Sequence, residues 1–196
     1  VREQLSTPIE LSKGIAQNTF LLDWAISGES ESGQKQLIDY LENLRKENGA
    51  FTVYWVSNIT NNYYTQTGIS RQVSPQDDAW FYQFLKSDKP YEISFDIEKG
   101  TTKLTAFVNY RIRYQGEDIG TAGFGYPVDE ISKSILSNKV GEQGYVFVTD
   151  NQGNILIHPQ LSSLNNQKLS QLNGFSNSSN KLLSSNAGYV YDDVNY

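Results

Sequence analysis

One histidine, His158, and no cysteine occur in the 196 residues of the chain, so most nucleophilic and metal chemistry lacks its ingredients. A catalytic triad needs a base held beside its nucleophile, and a zinc site needs several converging ligands. His158, followed by Pro159 at the end of an expected strand, reads as a turn or packing residue. Asp77 and Asp78 are adjacent acids, but neighbours on a helix point apart, which argues against paired-carboxylate glycosidase chemistry. Gly123 and Gly125 make a Gly-x-Gly without a phosphate-loop setting, and close packing explains them better. No catalytic residue, metal or cofactor is expected, and the chain does not read as an enzyme.

Binding chemistry remains. The chain holds 13 Tyr, 9 Phe and 3 Trp, side chains that build cores and also line small-molecule pockets. Trp80 and Phe81 fall on an expected helix over a sheet, either as packing or as a pocket wall. Tyr64 and Tyr91 fall on expected strands, where a phenol can show its hydroxyl to a ligand. Asn109 interrupts an apolar strand, so its buried amide needs partners from the protein or from a ligand. Arg111, two residues on, shares that strand face and suits either a ligand carboxylate or a surface salt bridge. Asp96 lies on the opposite strand face from Tyr91 and reads as solvated. With Asp78, the candidate ligand-binding set is Tyr64, Asp78, Trp80, Phe81, Tyr91, Asn109 and Arg111. The net charge of −6, with no basic block, disfavours nucleic acid, whose phosphates call for a cationic face.

The elements that must position these residues follow from periodicity. Leu11, Ile15, Leu22 and Ile26 form one apolar stripe, predicting a helix with Pro8 in its first turn and a stop at Ser27-Gly28. Leu37, Ile38, Leu41 and Leu44 predict a second helix ending at Asn48-Gly49. Phe51 to Val56 and Tyr63 to Thr65 are β-branched and aromatic runs joined by a polar turn. Ser74-Pro75-Gln76-Asp77 has the form of a helix start, and the helix carries Trp80, Phe81, Phe84 and Leu85. Strands are expected over Tyr91 to Phe95, Leu104 to Tyr114 and Gly120 to Tyr126, with the last turn at Gly116 and a short helix on Val128, Ile131 and Ile135. This order indicates an α+β fold around one antiparallel sheet flanked by helices. Beyond it, Gly144 to Thr149 and Asn154 to His158 form a hairpin pattern, and Gly188 to Tyr191 is one more strand candidate. The organisation is a helical region 1–48, a sheet module 49–138, and a smaller module from 139 to 196, incomplete or leaning on the first. The chain has no methionine and no run of the ~18 apolar residues a membrane span takes, so it reads as a piece of a longer protein whose anchor lies elsewhere.

Several segments in order carry a resemblance: Asp77 to Phe81 followed by Lys89-Pro90-Tyr91, then Lys103 to Tyr110, Gly120 to Gly125 leading to Val128 to Ile131, and Gly141 to Asp150 running to His158-Pro159. Over nearly the whole chain they resemble the double Cache (PDC-type, PAS-like) sensor domains of bacterial receptors. That resemblance implies a periplasmic or otherwise extracytoplasmic module of an inner-membrane protein. It implies a small-molecule pocket in the membrane-distal module and an output domain of the diguanylate cyclase, histidine kinase or chemoreceptor kind. In its amino-acid-binding subgroup an Arg two residues before the helix Trp holds the ligand carboxylate, and an Asp near the end of the last core strand pairs with the ammonium. Here those places are Asp78 and Gly125. The expected partner is therefore a small polar molecule, cationic or hydroxyl-rich, and not an ordinary α-amino acid. The alternative is a dimerisation or protein-interaction module pairing through its N-terminal helix; a hydrolase or carbohydrate binder ranks last.

Overall fold

In the computed structural model of the protein, residues 2–97, 104–128, 144–149, 152–159, 167–176 and 178–184 are described. The chain divides into two compact units, Val1–Pro127 and Val128–Tyr196.

The first unit is built from α1 (Arg2–Ala16), α2 (Thr19–Ile26), α3 (Glu31–Glu47), β1 (Thr52–Ser57), β2 (Asn62–Thr65), β3 (Gly68–Gln72), α4 (Ala79–Lys86), β4 (Tyr91–Ile97), β5 (Leu104–Tyr114) and β6 (Glu117–Pro127). The six strands form one antiparallel sheet in the order β3-β2-β1-β6-β5-β4. The architecture is thus α+β, and the helices of residues 1–48 share a core with the sheet.

That core lies on one sheet face. Ile15, Leu21, Trp24, Leu37 and Leu41 from the helices meet Val53, Trp55, Tyr64, Ile112, Ala122 and Phe124 from the strands. With Ile15 and Ala16 buried there, this face of α1 is not open to a second copy of the chain. The other face carries a smaller cluster, Tyr54, Val56, Tyr63, Val73 and Phe81, under α4.

Three expectations are corrected. The predicted first helix is two helices, because the Asn18 side chain accepts from the backbone N–H groups of Phe20 and Leu21 and starts a new helix there. The apolar stripe loses its phase at that break, so Ile26 is exposed, and Pro8 falls inside α1 and not in its first turn. The Ser74-Pro75 segment is a turn, with Ser74 Oγ accepting from the Asp77 N–H at 3.2 Å, and the helix itself begins only at Ala79. Finally, β3 is a strand that the polar composition of Gly68 to Gln72 concealed.

The β5–β6 turn is where Gly116 indicated it. Gln115 and Gly116 both adopt positive φ, 48° and 92°, as a two-residue hairpin turn of matching twist requires. In the second unit, β7 (Val148–Thr149) and β8 (Ile155–Ile157) pair antiparallel as expected, and α5 covers Ser179–Ser184. The ring of His158 lies 5.0 Å from Tyr145 and 5.8 Å from Phe147, a packing environment whose burial lowers its pKa. The helix expected on Ile131 and Ile135 and the strand expected at Gly188 to Tyr191 lie outside the described residues.

Candidate ligand-binding cavity

The sheet face away from α1–α3 bears a cavity of about 210 Å³. Among the described residues its aromatic lining is Tyr63 on β2, Trp80 on α4, Phe95 on β4 and Phe107 on β5; its charged groups are Arg71 on β3, Asp77 and Asp78 before α4, and Asp96 on β4. Ser94 and Asn109 complete the polar lining.

Strand parity decides membership. Side chains alternate between faces along a strand, and Tyr63 pairs with Arg71 across β2 and β3. The Arg71 guanidinium consequently lies over the Tyr63 ring, 4.3 Å from its centroid. On β4, Glu92, Ser94 and Asp96 share the face of their β5 partners Asn109, Phe107 and Thr105.

Asp78 is 1% exposed and forms an ion pair with Arg71, while its Oδ2 accepts from the Ser74 N–H at 3.3 Å. The carboxylate is held from two sides. Arg71, whose side chain is 27% exposed, has Asp78 as its hydrogen-bond partner among the described residues, and its buried Nε has none.

Asn109 is 2% exposed and its amide is satisfied within the protein. Oδ1 accepts from Tyr54 Oη at 2.6 Å, and Nδ2 donates to Ser94 Oγ at 3.1 Å. Beside it, Gly125 leaves the space into which Phe107 and Thr52 project: a Cβ there would lie 3.0 Å from Phe107 Cε1 and 2.7 Å from Thr52 Cγ2. An acidic side chain at 125 would have to displace both.

Of the seven candidate residues, Asp78, Trp80 and Asn109 line the cavity. The other four do not, each for a physical reason. Tyr64 is one residue from Tyr63 and so faces the helices, where its hydroxyl donates to Glu29 Oε2 at 2.6 Å. Burial, then that hydrogen bond, pushes its pKa up to about 12. Tyr91 is stacked on Tyr110, centroids 6.1 Å apart, on the face opposite Ser94 and Asp96. Phe81 is fully buried in the cluster under α4.

Arg111 shares the face of Asn109 but lies further along β5. Its guanidinium donates to the carbonyls of Phe84, Leu85, Ser87 and Lys89, closing the C-terminal end of α4, and pairs with Asp118. Asp118, raised by partial burial, is held below its ordinary pKa by Arg113 and Arg111.

Residue types alone did not reveal Tyr63, Arg71, Phe107, Ser94 or Asp96 as cavity residues. Gly68, with φ of 119° after the polar Gln66-Thr67, was the available signal for the β2–β3 turn that places Arg71.

A family model for the Cache domain (dCache_1) matches residues 3–194. The chain belongs to the Cache domain family. Cache domains of known structure share this fold. One is the ligand-binding domain of the Pseudomonas aeruginosa amino acid chemoreceptor PctC in complex with GABA, at 20% identity and a TM-score of 0.66, over 87% of this chain and 74% of that one. Another is that of the Pseudomonas fluorescens chemoreceptor CtaA in complex with L-serine, at 17% identity and a TM-score of 0.65, over 87% and 70%. The sensor domain of the V. cholerae histidine kinase DctB matches at 15% identity and a TM-score of 0.61, over 79% and 59%. By sequence, 94 residues are 30% identical to the human voltage-dependent calcium channel subunit alpha-2/delta-3. That stretch is 45% of this Cache domain and only 9% of the channel subunit. Among the described residues no helix is long and apolar enough to cross a membrane.

Proposed function

We propose that this Cache domain is the extracytoplasmic part of a membrane signalling receptor and that it binds a small polar molecule, carrying an amine or rich in hydroxyls, in the cavity beneath α4. One observation carries the reading. Asp78, where the amino-acid-binding subgroup would place its carboxylate-holding Arg, is a buried acid held in place by Arg71 and the Ser74 N–H. Among the described residues the lining has three carboxylates, Asp77, Asp78 and Asp96, to one guanidinium, a balance that favours a ligand with a cationic or strongly hydrogen-bond-donating end. Tyr63, Trp80 and Phe107 offer ring faces to that end or to the carbon skeleton beside it. The second subgroup anchor is Gly125, whose place is taken by Phe107 and Thr52. An α-amino acid therefore meets neither anchor. The module binds and does not catalyse; an output domain lies elsewhere in the receptor.

Thermal-shift and calorimetric titration of the chain with amines, polyamines, polyols, carboxylates and α-amino acids tests this. A ligand at 100 Kd stabilises its folded host by about 2.7 kcal/mol, readily visible as a raised Tm. The expected result is a rise with amines or polyols and none with simple α-amino acids. No rise with any class overturns the reading.

A further inference from the structure

The helix side of the sheet holds a second polar cluster, centred on Glu29 in the link between α2 and α3. Glu29 is 8% exposed, and its Oε2 accepts from Tyr64 Oη at 2.6 Å and from Thr60 Oγ1 at 2.5 Å. Asn62 Nδ2 in turn donates to Tyr64 Oη at 3.0 Å. One carboxylate oxygen thus fastens the link to β2 and to the β1–β2 turn. The link is also tied to α2, since the Glu29 N–H donates to Trp24 O at 3.1 Å and Trp24 Nε1 donates to Ser30 O at 2.9 Å.

This fastening works against local preference. Glu29 has φ of 56°, a left-handed conformation that costs a non-glycine residue free energy and persists where its surroundings impose it. Its other oxygen, Oε1, is buried without a partner among the described residues, as is Nε1 of Trp55, the cross-strand neighbour of Tyr64. A half-satisfied buried network gains water at its unmet atoms when it opens, so release of the link relieves both the backbone and the dry polar atoms. On the strand side the geometry continues to the cavity. Tyr63 lines it, is adjacent to Tyr64 but on the opposite face, and the register shift between β2 and β3 falls between the two. At such a bulge the ladder is locally interrupted, which leaves this pair of residues less constrained by β3.

We infer that Glu29 is a conformational latch: it holds the α2–α3 link on β2 through Tyr64, and a displacement of Tyr63 in the cavity passes through the bulge to the link and to α2. The device has two states, link fastened and link released. Tyr63 biases the balance because Tyr64 loses its hold on Glu29 when the bulge is re-aimed. By linkage, releasing the link loosens Tyr63 in the cavity. The coupling belongs to this chain's own residues and holds whichever molecule the cavity takes.

Native-state hydrogen exchange on the whole chain tests it, in the parent and in Glu29→Gly, Glu29→Gln, Tyr64→Phe and Tyr63→Leu. The readout is residues 27–29, whose N–H groups bond back onto α2. Glycine suits φ of 56° better than glutamate, so a link held by its backbone alone would exchange more slowly in Glu29→Gly. The expected result is the reverse: exchange at 27–29 faster by about tenfold or more in Glu29→Gly and Tyr64→Phe, the loss of a charge-assisted hydrogen bond, with β5 and β6 unchanged. Glu29→Gln, which keeps an acceptor for Tyr64, should show a smaller rise. Tyr63→Leu, on the other sheet face, should also speed exchange at 27–29 several-fold, and added to Glu29→Gly it should give no further rise. The inference is overturned if Tyr63→Leu leaves 27–29 unchanged or if its effect persists undiminished in the Glu29→Gly background. It is overturned equally if Glu29→Gly slows exchange there or raises it evenly over the strands. Should Glu29→Gly not fold, Tyr64→Phe takes its place in the same comparison. The proposed function stands or falls by its own titrations, whichever result is found.

Discussion

Tyr54 on β1 donates to Asn109 on β5 at 2.6 Å, reaching over the intervening strand β6 at Gly123. The three residues form one row on the cavity face. The middle one has no side chain, and that gap lets a phenol and an amide two strands apart meet. Removing the hydroxyl in Tyr54→Phe leaves Asn109 Oδ1 buried without that donor, at a cost of about 1–3 kcal/mol. Urea unfolding should show this loss, and a cycle with Asn109→Ala should give a coupling of about 0.5–3 kcal/mol.

Gly123 itself should not accept a side chain. A Cβ there would sit 1.7 Å from Val108 O and 2.8 Å from Tyr54 Oη; the first neighbour is backbone and cannot move aside cheaply. Gly123→Ala is expected to destabilise by about 1–3 kcal/mol or more, and a folded variant of unchanged Tm would contradict the close approach.

Asp78→Arg would install the residue of the amino-acid-binding subgroup. Here it sets a second cation beside Arg71 in a nearly closed place. The expected outcome is a loss of roughly 3 kcal/mol, at the low end for breaking a buried pair because Arg71 is 27% exposed, with no gain of α-amino acid binding. The exchange Arg71→Asp with Asp78→Arg should recover part of the stability in denaturant titrations.

Arg111→Met removes the donors that close α4. The carbonyls of Phe84, Leu85, Ser87 and Lys89 lose their shared partner and Asp118 one of its two cations. A loss of about 3–5 kcal/mol is expected, with hydrogen-exchange protection falling first at residues 84–90. A role limited to surface charge would instead leave exchange in α4 unchanged.

Alkali should unfold the protein through its buried phenols. Burial, then the hydrogen bond to Glu29, pushes Tyr64 to about 12, and burial pushes Tyr126 to about 12. The unfolded chain releases these protons near pH 10. The protonated phenols therefore contribute full stability below about pH 10, and that contribution is lost as pH rises toward 12. Tyrosinate absorbance should show late-titrating groups whose ionisation coincides with loss of the near-ultraviolet circular dichroism signal. Ionisation of every tyrosine near pH 10 in a folded chain would contradict it.

Periodicity alone was enough for much of the architecture. A run such as Leu104 to Tyr114, alternating and bounded by Lys103 and Gly116, has few other ways to bury its apolar side chains, and it is β5 in full. The same holds for α3, whose apolar residues at steps of three and four leave one buried face. The break between α1 and α2 was less legible, because a capping Asn18 competes with continuation of the helix by a margin local composition does not reveal.

Residue types pointed to an aromatic and polar pocket and singled out Asp78, Trp80 and Asn109, which do line the cavity. Which of two adjacent tyrosines faces it was settled by register, since a shift of one residue turns every side chain to the other face. Tyr63 and Tyr64 look alike in sequence, and only the pairing with Arg71 tells them apart. Arg71 and Asp96 are 25 residues apart in the chain and belong to opposite edge strands. That both line one cavity depends on the assembly of six strands together, a property of the whole sheet that no single segment encodes.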